Sequence, residues 1–403
     1  MENAILITVS SLLLISYVSD IASSRTKIPS VIILLLLGWI VRQISLLLNL
    51  KIPNLEPILP ALGTVGLILI VLEGALEIEL EESKLKLILK SILSAFLLSA
   101  LLLLILTLFF SLVYKVEFSK AFINSVPFAI ISSSIAIPSA SNFPAILREF
   151  VVYETSTSDI LGIIYFNFAQ SITVNGFGVE KFFLMLFYLL LMVIISIFAT
   201  LGLSFLFTKL KYNVRFTPII LLIILIYAVS KLFHLPSLIF ILLFGLFVAN
   251  FKKVDEFIGV RGINYIDVEK DIEKFKEIVY ELTFLARSFF FLIFGYVLQT
   301  EEIIDINSII ISITITAFIF LTRYFHLKFF KLPVQPLLYT VPRGLITILL
   351  FLGIEPSQSV DGISRSVIIQ VIILTNLIMT LGLIKSGKSL EFFDEEKLKN
   401  YFA

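Results

Sequence analysis

Thirteen predominantly apolar runs follow one another along the chain, and a run of about 17–25 such residues is what an α-helix needs to cross the hydrocarbon core of a bilayer. They lie near residues 3–22, 29–48, 58–76, 87–113, 119–142, 153–174, 182–208, 216–233, 236–251, 279–298, 304–323, 336–354 and 365–384. Spans eight and nine are separated only by Phe233-His234-Leu235-Pro236, the weakest division in the series. Only 15% of the residues are charged, against about 25% in an ordinary soluble domain. The expected fold class is therefore an all-α polytopic membrane protein of about 13 transmembrane helices.

Basic residues give the orientation. With the N-terminus outside, 22 of the 31 Lys and Arg residues fall on the cytoplasmic side, among them Lys84, Lys86, Lys90, Lys209, Lys211, Lys252, Lys253 and Arg323. Seven fall at or near the other side, and Arg287 and Arg343 lie within spans. The positive-inside rule then reads N-out, C-in. The whole of 1–403 forms one transmembrane domain. Its longest hydrophilic stretch, 252–277, reads as a cytoplasmic amphipathic connector, and 385–403 as a short cytoplasmic tail. The expected location is the cell (inner, cytoplasmic) membrane, with the lipid bilayer itself as a partner.

Composition removes several function classes. Cysteine is absent and histidine occurs twice, which excludes disulfides, iron–sulfur clusters and thiolate metal sites and leaves no histidine-based zinc motif. No glycine-rich phosphate loop is present, and the first apolar run has no basic segment of a signal peptide before it. No cofactor and no nucleic-acid partner is expected.

Against this background Asp159 stands out, in Glu154-Thr155-Ser156-Thr157-Ser158-Asp159 of span six. An ionisable side chain at membrane depth is costly and marks a site by default. Thr155 lies one turn earlier on the same face, and a carboxylate with a hydroxyl can hold a small cation, or a proton in its place. Thr155 has a structural alternative, back-bonding to the carbonyl four residues earlier. Two spans carry interruptions. In Ser132-Ser133-Ser134-Ile135-Ala136-Ile137-Pro138, Pro138 should free the Ser134 carbonyl beside the Ser133 and Ser134 hydroxyls. In Thr340-Val341-Pro342-Arg343-Gly344, Pro342 should free the Leu338 carbonyl, with Gly344 completing the break. The two spans are seven crossings apart and so run in opposite directions, as the broken helices of inverted-repeat transporters do. Two ordinary proline kinks are the plainer alternative. Glu73 lies a turn deeper than Glu77 and is either near the ion path or snorkelling. Arg287 is a buried charge that needs an acidic or carbonyl partner.

Three motifs together resemble the monovalent cation:proton antiporter (sodium/proton exchanger) family. Glu154-Thr155-Ser156-Thr157-Ser158-Asp159 is similar to its Glu-Ser-x-x-Asn-Asp site, Val341-Pro342-Arg343-Gly344-Leu345 to its Pro-Arg-Gly element, and Arg287-Ser288-Phe289-Phe290-Phe291 with Gly295 to its Arg-Thr-Phe-Phe-Phe run. Ser158 stands where the family has Asn or Asp, and Ser132-Ser133-Ser134 where many members have Thr-Asp-Pro. The resemblance implies two inverted six-helix repeats, a homodimer, and exchange of Na⁺ (or K⁺, Li⁺) for H⁺. Asp159, Thr155, Ser158, Ser133, Ser134 and Glu73 would form the ion-binding set, and Glu154 with Arg343 a structural ion pair between the halves. One titrating group at Asp159 points to electroneutral exchange. The rivals are an uncoupled, channel-like or regulatory homologue and, more remotely, an intramembrane hydrolase built on Ser156 or Ser158.

Overall fold

The computed structural model describes residues 30–48, 55–78, 84–175, 216–232, 237–253 and 265–390, with 10, 11, 14–18, 187, 190, 194 and 198. The spans expected at 3–22 and 182–208 fall wholly or largely outside the described residues, as do 254–264 of the connector and 391–403 of the tail.

The described elements are helices, with no strand among them: α1 (Ser30–Leu47), α2 (Leu59–Leu76), α3 (Leu85–Tyr114), α4 (Phe118–Ala129), α5 (Ser133–Ser139), α6 (Ala145–Asn175), α7 (Phe216–Leu232), α8 (Ser237–Ala249), α9 (Tyr265–Val297), α10 (Thr300–Ile304), α11 (Ile306–Phe329), α12 (Val334–Leu337), α13 (Leu345–Leu352) and α14 (Arg365–Leu390). Among the described residues, seven stretches are long and apolar enough to cross a membrane, and 216–230 and 240–249 form shorter apolar helices. Their boundaries have local causes. Pro60 falls in the first turn of α2, where its missing N–H breaks no helical bond. A Gln299/Glu302 capping box starts α10, and the Asp305 side chain caps α11 through Asn307. The second half of the expected connector is continuous with span ten, in the single helix α9.

Packing separates the helices into two bodies. In one, α9 lies along α1 and α2, and α8 joins α2 to α7. In the other, α3 packs on α4, α6 and α11, α5 packs on α6, and α14 packs on α10, α11 and α12. We call these the panel and the core. Among the described helices, only α2 and α8 of the panel make substantial helix contacts with the core, on α6 and α13. The panel is tied together at close range. A Cβ on Gly38 of α1 would collide with the Leu292 carbonyl of α9, and one on Gly295 of α9 with the Leu35 carbonyl of α1. Each glycine lets the other helix's backbone approach. On the outer side of α3, Leu89, Leu93, Leu97, Leu101, Leu104, Leu108 and Leu112 remain exposed, an apolar stripe suited to lipid.

Candidate cation site

Span five is interrupted between α4 and α5, at Ile130–Ser132, rather than at Pro138 as expected; Pro138 sits inside α5. The break falls there because tertiary partners take the backbone groups a continuous helix would use. The Ile131 N–H donates to Ser158 Oγ at 3.0 Å and the Ser132 N–H to the Pro342 carbonyl at 3.0 Å. The second interruption, 338–344, lies between α12 and α13 and contains Thr340 to Gly344. The two breaks cross at Gly344, where a Cβ would come within 2.5 Å of Ser132 Oγ and 2.6 Å of Ile135 Cδ1. Irregular backbone at this depth survives only when it is enclosed in protein or lines a cavity.

Asp159 lies near the middle of α6, buried, facing the start of α5. Its Oδ2 accepts the hydroxyl of Ser133. Its Oδ1 is sealed from solvent and has no hydrogen-bond partner among the described residues. Thr155 donates its hydroxyl to the Val151 carbonyl at 2.8 Å, the back-bonded alternative. That bond consumes the proton and leaves oxygen lone pairs, which are what a cation uses. Ser158 is spent on the Ile131 amide, so it bridges α6 to the break. Ser134 exchanges a 3.0 Å hydroxyl contact with Ser132. Its carbonyl, which Pro138 deprives of a helical donor, accepts from Arg287 Nη1 at 3.2 Å.

From the panel, α2 brings Glu73 and Gly74 against this face of α6. A Cβ on Gly74 would lie 3.5 Å from Ser156 Oγ, itself buried and without a hydrogen-bond partner among the described residues, and the charges of Glu73 and Asp159 act on one another. Just beyond the end of α2, Glu77 has a sealed Oε2 with no hydrogen-bond partner among the described residues. Burial, then the charge of Glu73, pushes its carboxyl up to about 8, against the pull of Arg148 and Lys276.

The expected Glu154–Arg343 pair does not form. Glu154 makes a two-pronged pair with Arg323 of α11, Nη1–Oε1 at 2.6 Å and Nη2–Oε2 at 2.8 Å, with both side chains fully buried. Arg323 Nε also donates to the Leu337 carbonyl at 3.0 Å. Arg343 instead donates from Nε to the Phe128 carbonyl at 2.7 Å and from Nη1 to Val341 at 2.9 Å. It thereby serves the Phe128 carbonyl, left open at the C-terminal end of α4, where a positive charge is favoured, and a carbonyl of its own interruption. Arg343 sits in the crossing itself, too committed to it to reach Glu154.

Arg323, Ser94 and His326 were missed from the sequence. The sequence places Arg323 at the cytoplasmic end of a span, but α11 continues to Phe329 and keeps both Arg323 and His326 inside. Ser94 Oγ donates to Glu154 Oε1 at 2.6 Å and lies 2.7 Å from His326 Nε2. With its only proton on a carboxylate that cannot donate, Ser94 must accept from Nε2–H. That polarity is opposite to a nucleophile handing its proton to a histidine. The signal that could have found these residues was physical: a buried Glu154 needs a buried cation, and the apolar stretch 306–329 is long enough to keep Arg323 within the span.

Two interrupted helices crossing beside a buried carboxylate, in an all-helical bundle with a lipid-facing apolar surface, define a multi-pass membrane carrier of small ions. The chain belongs to the sodium/hydrogen exchanger family: the family model described as sodium/hydrogen exchanger, transmembrane, matches residues 9–383. Its fold is similar to that of the sodium proton antiporter MjNhaP1 from Methanocaldococcus jannaschii, with a TM-score of 0.68 and 18% identity over 97% of this chain and 98% of that one. A second structure of that protein, from electron microscopy, matches with a TM-score of 0.66 and 18% identity over 96% of each chain. No curated protein sequence matches.

Proposed function

We propose that the protein exchanges a monovalent cation, Na⁺ with K⁺ or Li⁺ as alternatives, for H⁺ across the cell membrane, and that both occupants use Asp159. The observation that carries this reading is the Asp159 carboxylate: one oxygen held by Ser133, the other buried and unpartnered. A buried carboxylate oxygen without a donor is costly, and either a proton or a cation relieves the cost. Two ligands that relieve the same cost exclude each other, which is the basis of exchange. Thr155 and Ser133 offer hydroxyl oxygens and Glu73 a second negative charge. This all-oxygen set suits a hard cation. Ser158 orders the broken helix instead of binding the ion, and Ser134 is a ligand only through its carbonyl. One carboxylate at the centre favours one cation per proton, hence an electroneutral cycle. Alternating access follows from movement of the core against the panel, two bodies with few helix contacts between them. The membrane-embedded panel also provides the surface for a homodimer.

The test is cation-driven proton flux in proteoliposomes with Asp159→Asn. The variant should fold and lose exchange entirely, and sustained flux at normal expression would refute the reading. In the wild type an imposed membrane potential should leave the steady-state cation gradient unchanged. A voltage response would reject one-for-one exchange and implicate Glu73 as a second proton carrier.

A further inference from the structure

The Ser134 carbonyl is the oxygen that Pro138 strips of its helical donor, and the group that takes it comes from the other body. Arg287, almost wholly buried, reaches from α9 of the panel to α5 of the core and donates Nη1–H at 3.2 Å. Ser133, the neighbouring residue, holds Asp159. The guanidinium is carried by the panel and not by the core. Ser288, beside it, takes the Ser16 hydroxyl at 2.7 Å, and two turns further along Gly295 is locked against the backbone of α1.

We propose that Arg287 is a built-in competitor of the transported cation: here it holds the Ser134 carbonyl, and when core and panel shift it withdraws and returns that oxygen to the ion. The inference rests on the exchange reading and adds a residue to it. A carbonyl satisfied by a guanidinium offers a cation less of its lone-pair density, and a fixed positive charge close to the site repels a second one. The competition ends only when the guanidinium leaves the carbonyl, and relative movement of the two bodies is what can take it away. Cation affinity would then differ between the two ends of the cycle, tight where Arg287 has withdrawn and loose where it has returned. Such a difference lets a carrier release what it has bound.

The experiment measures exchange in proteoliposomes at a fixed alkaline pH over a range of Na⁺ concentrations, for the wild type and Arg287→Met, Arg287→Gln and Arg287→Lys. The neutral variants should bind more tightly and release more slowly. Their half-saturating Na⁺ concentration should fall several-fold while the maximal rate falls, and Arg287→Lys, which keeps the charge, should stay closer to the wild type. The Na⁺ concentration that half-maximally raises the melting temperature should move in the same direction, a readout independent of transport. An unchanged or raised half-saturating concentration in Met and Gln, with only the maximal rate reduced, would overturn the proposal and leave Arg287 a structural tie. Failure of both neutral variants to fold would overturn it equally. Absence of Na⁺-driven proton flux in the wild type would instead refute the exchange reading.

Discussion

At the scale of single residues, the Glu154–Arg323 pair is where substitution should be felt most. Both side chains are fully buried, and removing one partner of such a pair costs about 3–5 kcal/mol because the other charge is left unpaired. Glu154→Gln and Arg323→Met should each lower the melting temperature sharply. The double variant should lose clearly less than the sum, whereas Glu154→Gln with Arg343→Met should be additive. Additivity with Arg323 would disprove the pairing. Glu77 gives a pH signature. Its carboxyl ordinarily titrates near 4.5 and is pushed up to about 8, so between those values the folded protein holds a proton that the unfolded chain has released. This contribution to stability is full below the lower value and is lost as pH rises towards the upper one. Melting temperature should decline over that window, and Glu77→Gln should flatten the decline; an unaltered slope would count against the assignment. Asp159 was legible in the sequence because a carboxylate in an apolar run has no ordinary excuse. Arg323 was not, because charge near the apparent end of an apolar run looks like an interfacial anchor, and only the packing of α6 on its neighbours shows which arginine Glu154 meets.

At the scale of elements, the two interruptions stand or fall together, since each supplies the other's missing partner. Gly344→Ala places a methyl within 2.5 Å of Ser132 Oγ and against the Ile135 side chain. The crossing must then open by a few tenths of an ångström or more, and the Ser132–Pro342 bond lengthens with it. Exchange should drop at least tenfold while expression falls less, and wild-type rates in that variant would show that the crossing tolerates expansion. That both spans are broken was readable from Pro138, Pro342 and the polar residues beside them. Where span five breaks was not. Proline disfavours a helical bond locally, but the break settles where outside donors and acceptors can replace the lost ones, and those are Ser158 and Pro342, distant in sequence. The bridge needs only an acceptor at 158, and the Ser158 hydroxyl oxygen supplies it to the Ile131 amide.

At the scale of the whole molecule, the panel and core meet closely at Gly74 and Ser156, and this contact offers a way to stop their relative motion. An ideal Cβ on Gly74 lies 3.7 Å from Ser156 Cβ, within the 3.5–4.5 Å that a disulfide requires. The natural chain contains no cysteine, so Gly74→Cys with Ser156→Cys introduces the only pair. Oxidation should arrest exchange and reductant should restore it, while each single variant is indifferent to both; continued exchange in the fully cross-linked protein would mean that these two helices do not separate during transport. The unpartnered Oδ1 of Asp159 also bears on how the protein melts. A folded state that carries an unmet bond takes up the ion that supplies it, whereas the unfolded chain, fully hydrated, does not. Cargo is thus a folding ligand, and stability rises with the logarithm of its concentration once the site begins to fill. At alkaline pH, where protons no longer compete, a series of Na⁺, Li⁺ and K⁺ melting curves should rank the cations by affinity without any transport being measured, and Asp159→Asn should collapse the series onto a single curve.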